Sequence, residues 1–166
     1  MKKLNLITEL FQSITKKRDI REYKKNIFYY IFFRLFRNFF NSNIEIKIEN
    51  FKVIASYQKN KTSHALLKKC NFDDQSELML IKKFSKNKKI FLLDCGCNYG
   101  FYSFFTASLS RQNSIISIEA SPTTSEEFKK NLILNNFNNV TLKNFAISDT
   151  DDLTVILNES ENDWES

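Results

Sequence analysis

The sequence predicts an α/β domain built on a parallel sheet, and three observations carry that prediction. Short apolar runs at residues 90–94, 115–119 and 140–145 alternate with longer stretches of helical character at 98–110 and 124–136. The apolar runs are nearly continuous rather than alternating, as in strands buried on both faces of a parallel sheet. Both glycines of the chain, Gly96 and Gly100, fall in the loop between the first run and the first helix. Two successive strand–helix–strand units give a parallel layer with right-handed crossovers.

The bulk numbers agree with one folded domain. The chain has 166 residues, 42% of them hydrophobic and 27% charged, enough apolar material for a core and too much for disorder. Two glycines and one proline exclude collagen-like or linker-like chains. Three cysteines, two of them one residue apart, do not form a disulfide framework, so a reducing, cytoplasmic setting is expected. The net charge of +6 is unevenly spread: +7 over residues 1–43, +6 over 44–143 and −7 over 144–166.

In chain order, Leu6, Ile7, Leu10, Phe11 and Ile14 recur at helical spacing and predict an amphipathic helix over 3–17. A second helix is expected over 19–40, rich in aromatic residues and in Lys and Arg. Residues 1–43 thus read as a basic, aromatic helical arm that packs on the domain or a partner; an interfacial membrane helix is the sharper alternative. No run approaches the roughly 20 apolar residues of a membrane span. The basic residues come without a nucleic-acid-binding module, so no nucleic-acid partner is expected.

From Ile44 the period becomes two: Ile44, Ile46 and Ile48, then Phe51, Val53 and Ala55, predict a β-hairpin. The lone His64 has no second histidine to share a metal, and none is expected. A helix follows to about Phe84, with Asp74 and Glu77 as a capping box and lysines at its end. Residues 44–89 therefore lead into a core at 90–166. There, Thr124 and Glu127 predict a second capping box, and 153–157 a fourth strand. The acidic stretch from Asp149 to Glu165 reads as solvated surface.

The chemistry concentrates in Asp94-Cys95-Gly96-Cys97-Asn98-Tyr99-Gly100. A tight turn off a strand end needs glycine for positive φ or close backbone approach, and such a loop can offer N–H groups and a helix start to a ligand. A plain tight turn is the structural alternative. Asp94 and Glu119 end successive strands and so point into one crevice. Glu119, 19 residues after Gly100, is placed to accept hydrogen bonds from two ribose hydroxyls, with Pro122 stiffening its loop. The G-x-G-x-x-G dinucleotide fingerprint and the Gly-Lys-Ser/Thr of a phosphate loop are both absent. Asp94 would repel a pyrophosphate but suits an ammonium or sulfonium, which favours S-adenosylmethionine over NAD. Cys95 and Cys97 read as packing residues.

With those residues in view, FLLDCGCNYGFYSFFTA, IISIEASPTT and FKKNLILNNFNNVTLKNFAISD resemble the FkbM family of S-adenosylmethionine-dependent methyltransferases. The family's D-x-G-A-N-x-G loop corresponds to Asp94, Gly96, Asn98 and Gly100, with Cys97 in place of the usual Ala. Its acidic turn corresponds to Glu119, its N-L-x-L-N helix end to Asn131, Leu132, Leu134 and Asn135, and its alanine–small–Asp turn to Ala146 and Asp149. The resemblance covers residues 90–150. It implies a Rossmann-like class I methyltransferase sheet, with S-adenosyl-L-methionine as cofactor. It also implies that Asp94, Gly96 and Gly100 line the methionine end, with Asn98 at the helix start and Cys97 in the same loop. Glu119, beside Ala120, would take the ribose, and Asn144, Phe145 and Ala146 would lie near the adenine.

A sheet of that family has seven strands, and about three core strands are legible here. The chain therefore reads as the N-terminal part of an enzyme, and no catalytic residue is named. The expected reaction is O-methylation of a hydroxyl on a sugar, glycan or secondary metabolite. The alternative is a truncated, non-catalytic adenosyl-binding or membrane-associating module.

Overall fold

The computed structural model describes residues 44–55, 75–150, 154, 156 and 157. The predicted helices at 3–17 and 19–40, together with His64 and Asp74, lie outside the described residues. Strands β1 (Ile44–Ile48) and β2 (Phe51–Ala55) form the predicted hairpin, antiparallel, with Ile48 opposite Phe51 across the Glu49–Asn50 turn. Glu49 takes a φ of 46° there. Ile48, Phe51 and Val53 are buried while Glu45, Lys47 and Lys52 are exposed, so the period-two pattern gives the hairpin one apolar face.

Helix α1 (Gln75–Phe84) carries Glu77 in its first turn and Lys82 and Lys83 in its last, complementing the helix dipole. It packs on α2 through an edge that buries Leu78. The main sheet then forms: β3 (Phe91–Cys95), α2 (Phe101–Leu109), β4 (Ser114–Glu119), α3 (Pro122–Asn135) and β5 (Val140–Asn144). The strand order is β3-β4-β5, parallel throughout, with Asp94 beside Ser117 and Glu119 beside Asn144. The predicted α/β parallel layer is therefore present.

Two helix starts and one strand differ from expectation. Helix α2 begins at Phe101, because residues 97–100 close a turn in which the Gly100 N–H donates to the Cys97 carbonyl at 2.8 Å. Helix α3 begins at Pro122 and is capped by Ser121, whose hydroxyl accepts from the Thr124 N–H at 3.0 Å. Proline at the first helical position has its φ preset and lacks only an N–H that would find no partner there. The Thr124–Glu127 box is displaced, and Glu127 instead pairs with Lys130 at 2.9 Å. The fourth strand at 153–157 is not formed at its described positions: Thr154, Ile156 and Leu157 are irregular, and Ile156 is 89% exposed. Thr154, Ile156 and Leu157 are all exposed, whereas a strand of a parallel sheet is covered on both faces.

Helices α2 and α3 cover one face of the sheet, burying Ile115, Ser117 and Val140. On the opposite face Phe91 and Leu93, 63% and 52% exposed, and Cys95 meet solvent among the described residues. Cys95 is therefore not the packing residue that the sequence suggested. The core centres on Phe104, fully buried, with ring centroids of Phe128, Phe137 and Phe51 at 4.7, 5.9 and 6.3 Å.

The hairpin is fastened to α3 by two asparagines one helical turn apart. Asn131 Oδ1 accepts from the Ile54 N–H at 2.7 Å, and Asn135 Oδ1 from the Lys52 N–H at 2.7 Å. Asn135 Nδ2 donates back to the Lys52 carbonyl at 2.7 Å. The i, i+4 spacing on the helix matches the i, i+2 repeat of outward-facing groups on a strand edge. The two side chains thus occupy the place of a neighbouring strand, satisfying an edge that would otherwise be open.

Asn131→Ala leaves the Ile54 N–H without its acceptor at a partly buried contact. A loss of about 2 kcal/mol in urea unfolding is expected. Hydrogen exchange should show the Ile54 amide losing protection while amides of β4 keep theirs.

Candidate functional site

The carboxyl ends of β3, β4 and β5 meet around the double-glycine loop. The loop is anchored on the central strand: the N–H groups of Gly96 and Cys97 both donate to the Ile118 carbonyl, at 2.9 and 3.0 Å. Gly96 (φ 73°), Asn98 (φ 49°) and Gly100 (φ 86°) all sit in the left-handed region, which lets five residues reverse direction between strand and helix. The N–H groups of Gly96, Cys97, Asn98 and Gly100 are all spent inside the protein. The loop therefore does not present those donors to an anion, contrary to one sequence reading of it.

The two glycines serve different ends. A Cβ on Gly100 would lie 2.6 Å from ring carbons of both Phe104 and Phe128, so the loop rests directly on the aromatic core. A Cβ on Gly96 would meet nothing within 4 Å, so open space faces the loop at that point.

Glu119, at the end of β4, is half-buried and held at both oxygens. Oε2 accepts from the Asn98 N–H at 2.8 Å and Oε1 from the Ser121 N–H at 2.9 Å. It thereby ties the glycine loop to the start of α3. A carboxylate has about four acceptor positions, so each oxygen keeps capacity for a further donor. Asn144, at the end of β5, donates through Nδ2 to the carbonyls of Glu119 and Ala120, at 2.7 and 3.1 Å. Asn144 thus joins the site by fixing the backbone that carries Glu119. Phe145, half exposed, and Ala146, exposed, follow it on the rim.

Asp94, at the end of β3, lies against the first turn of α2. Its Oδ2 accepts from the Ser103 hydroxyl at 2.5 Å, and the Ser103 backbone N–H also favours its charged form. Burial works against that charge and prevails, with Glu119 adding to it, so the Asp94 carboxyl is pushed above the ordinary carboxylate range. Cys97 is buried beside these acids. Burial first, then the charges of Asp94 and Glu119, raises its thiol well above the ordinary range, which keeps it protonated as a packing group.

The structure therefore brings together Asp94, Gly96, Cys97, Asn98, Gly100, Glu119, Ala120 and Asn144 at the sheet's carboxyl edge. Sequence reasoning missed Ser103, Ser117 and Ser121. A signal for Ser117 existed: it is a lone hydroxyl inside the run Ile115-Ile116-Ser117-Ile118, which a purely apolar sheet interior would not ask for.

No family model matches the chain. No curated protein matches it either. Among solved structures it is similar to M. jannaschii TYW2 in complex with AdoMet, at 18% identity and a TM-score of 0.49. That likeness covers 64% of this chain and 44% of that one. P. horikoshii TYW2 in complex with MeSAdo gives 17% identity and a TM-score of 0.48, over 64% and 37%. The SAM-dependent methyltransferase from Agrobacterium tumefaciens gives 11% and 0.48, over 60% and 31%. The chain spans less than half the length of each of these three, and the likenesses assign no residue a role.

Two predictions separate the parts of the site. Gly100→Ala must displace two buried rings and hold alanine at positive φ, so a loss of about 3 kcal/mol or more is expected; Gly96→Ala should cost about 1 kcal/mol. Chemical denaturation of both variants measures the difference.

The second concerns Asp94. The folded carboxyl binds its proton more tightly than the unfolded one. The native state therefore holds more protons between the ordinary value of 3.8 and the raised one, and stability falls as pH rises through that window. Asp94→Asn removes the desolvated charge and should raise Tm by about 3 °C at neutral pH. The gain should vanish below the ordinary carboxylate value, where wild-type Asp94 is protonated too; thermal melts across pH read it directly.

Proposed function

We propose that this chain carries the cofactor-binding part of an S-adenosylmethionine-dependent methyltransferase of the FkbM type. The observation that supports it best is the pairing of two acids on adjacent strand ends, bridged by one glycine loop with open space at Gly96. The donor set suits the cofactor. Asp94 offers negative charge to the ammonium of the methionine end, and Glu119 offers free acceptor positions, on a carboxylate fixed by two N–H groups, to a ribose diol. Phe145 and Ala146 on the rim would flank the adenine, with Asn144 holding the backbone between. The motifs quoted from the sequence, Asp94 to Gly100, Glu119 and Ala146 to Asp149, support the same reading.

When bound, the cofactor supplies a methyl group already activated by a sulfonium. The residues of this chain bind and orient it: preset loop geometry and a pinned Glu119 lower the ordering cost of holding donor and acceptor in line. The acceptor we propose is a hydroxyl of a sugar, glycan or secondary metabolite, a choice that rests on the family resemblance. A peripheral membrane role for residues 1–43 is a proposal of the same standing. Among the described residues, no helix is long and apolar enough to cross a membrane.

Calorimetric titration with S-adenosylhomocysteine tests the reading. Binding is expected, with NAD failing to compete. Glu119→Ala, which deletes two charge-assisted hydrogen bonds to the diol, should weaken it by about 100-fold. Unchanged affinity in that variant would show that Glu119 does not hold the ribose, and displacement by NAD would point to an oxidoreductase.

A further inference from the structure

Behind Asp94 lies a buried pair of hydroxyls that the proposed function does not use. Ser103, on α2, and Ser117, on β4, are both fully buried, and their Oγ atoms are 2.7 Å apart. Ser103 Oγ is also 2.5 Å from Asp94 Oδ2. The direction of the chain follows from proton counting. An ionised carboxylate only accepts, so the single Ser103 proton goes to Asp94, and the hydroxyl contact with Ser117 must then be donated by Ser117. Asp94 and Ser117 are also register partners on neighbouring strands, so the chain spans β3, β4 and α2 at one level of the sheet.

Both hydroxyls avoid the penalty of an unpaired buried polar group because each is hydrogen-bonded in this chain. Ser117 interrupts an apolar strand interior, and Ser103 takes a fully buried place in a helix that also buries Phe104, Phe105, Thr106 and Ala107. Two hydroxyl dipoles in series, aimed at one carboxylate oxygen in a low-dielectric setting, oppose the effect of burial on Asp94 and fix the plane of its carboxyl.

We infer that Ser103 and Ser117 are positioning residues that act through Asp94, keeping its carboxylate charged and turned toward the ammonium group of a bound amino-acid-bearing nucleoside. The inference rests on the proposed cofactor site and deepens it. It assigns recognition of the ligand's cationic end to a relay that starts at Ser117, with Ser103 and Asp94 standing between it and the ligand.

The test uses the full chain and two ligands that differ at that end. S-adenosylhomocysteine carries the ammonium; methylthioadenosine shares the nucleoside and thioether but lacks it. The wild type is expected to bind the first more tightly. Ser103→Ala should lose about ten-fold in affinity for S-adenosylhomocysteine and none for methylthioadenosine. Ser117→Ala should lose about three-fold with the same selectivity, and the double variant should be little worse than Ser103→Ala, since the two act in series. Should Ser103→Ala fail to fold, the selectivity of Ser117→Ala decides the matter. Equal losses for both ligands would mean a packing role and overturn the relay, as would unchanged affinity for S-adenosylhomocysteine in the variants. A wild type that binds neither ligand overturns the proposed function itself, and the relay with it.

Discussion

The missing side chain at Gly100 is the constraint on which the rest of this structure depends. Phe104 and Phe128 fill the volume that a Cβ would need, with ring carbons 2.6 Å from its ideal position. The loop that carries the site is therefore seated on the same aromatic cluster that joins α2, α3 and the hairpin. A close-packed interior transmits such a contact instead of absorbing it. The position of Asn98, and hence of the Glu119 carboxylate that its N–H holds, follows from how those two rings pack.

Around that contact the strand ends are joined by polar side chains used as clamps. Glu119 binds the N–H groups of two loops, Asn144 binds two carbonyls of the chain between them, and Asn131 with Asn135 closes the edge of β2. Each replaces a backbone partner that the local geometry cannot supply. The result is a candidate site whose loop and strand ends are fixed by the protein's own hydrogen bonds. An unfavourable element of it is the Asp94 charge, raised in pKa by burial and only partly relieved by Ser103.

Much of this was legible from residue patterns. The hairpin followed from period-two alternation at 44–55, and the three parallel strands from apolar runs. The loop stood out because a glycine-poor chain spends both its glycines there. What failed did so for identifiable reasons. The Thr124–Glu127 cap lost to Ser121 because Pro122 presets the helix start two residues earlier. The strand expected at 153–157 has the composition of a strand, but its described residues are irregular and exposed. The loop N–H groups expected to face a ligand are consumed by Ile118, Cys97 and Glu119, a pairing that only the juxtaposition of β3 and β4 creates.

Residue order alone therefore located the hairpin, the three strands of the main sheet and the helices between them, and settled that the sheet is parallel and that Asp94 and Glu119 stand at neighbouring strand ends. Those properties depend on periodicity and on the positions of Gly and Pro, which are local and additive along the chain. Three-dimensional packing decided the rest: that Gly100 is required by two phenylalanine rings, that Asn131 and Asn135 stand in for a strand, and that Ser117 reaches Asp94 through Ser103. Each of these joins residues far apart in sequence through a hydrogen bond or an excluded volume only a few ångströms across. No pattern along one segment can report such a contact, because its distance is set by how whole elements dock.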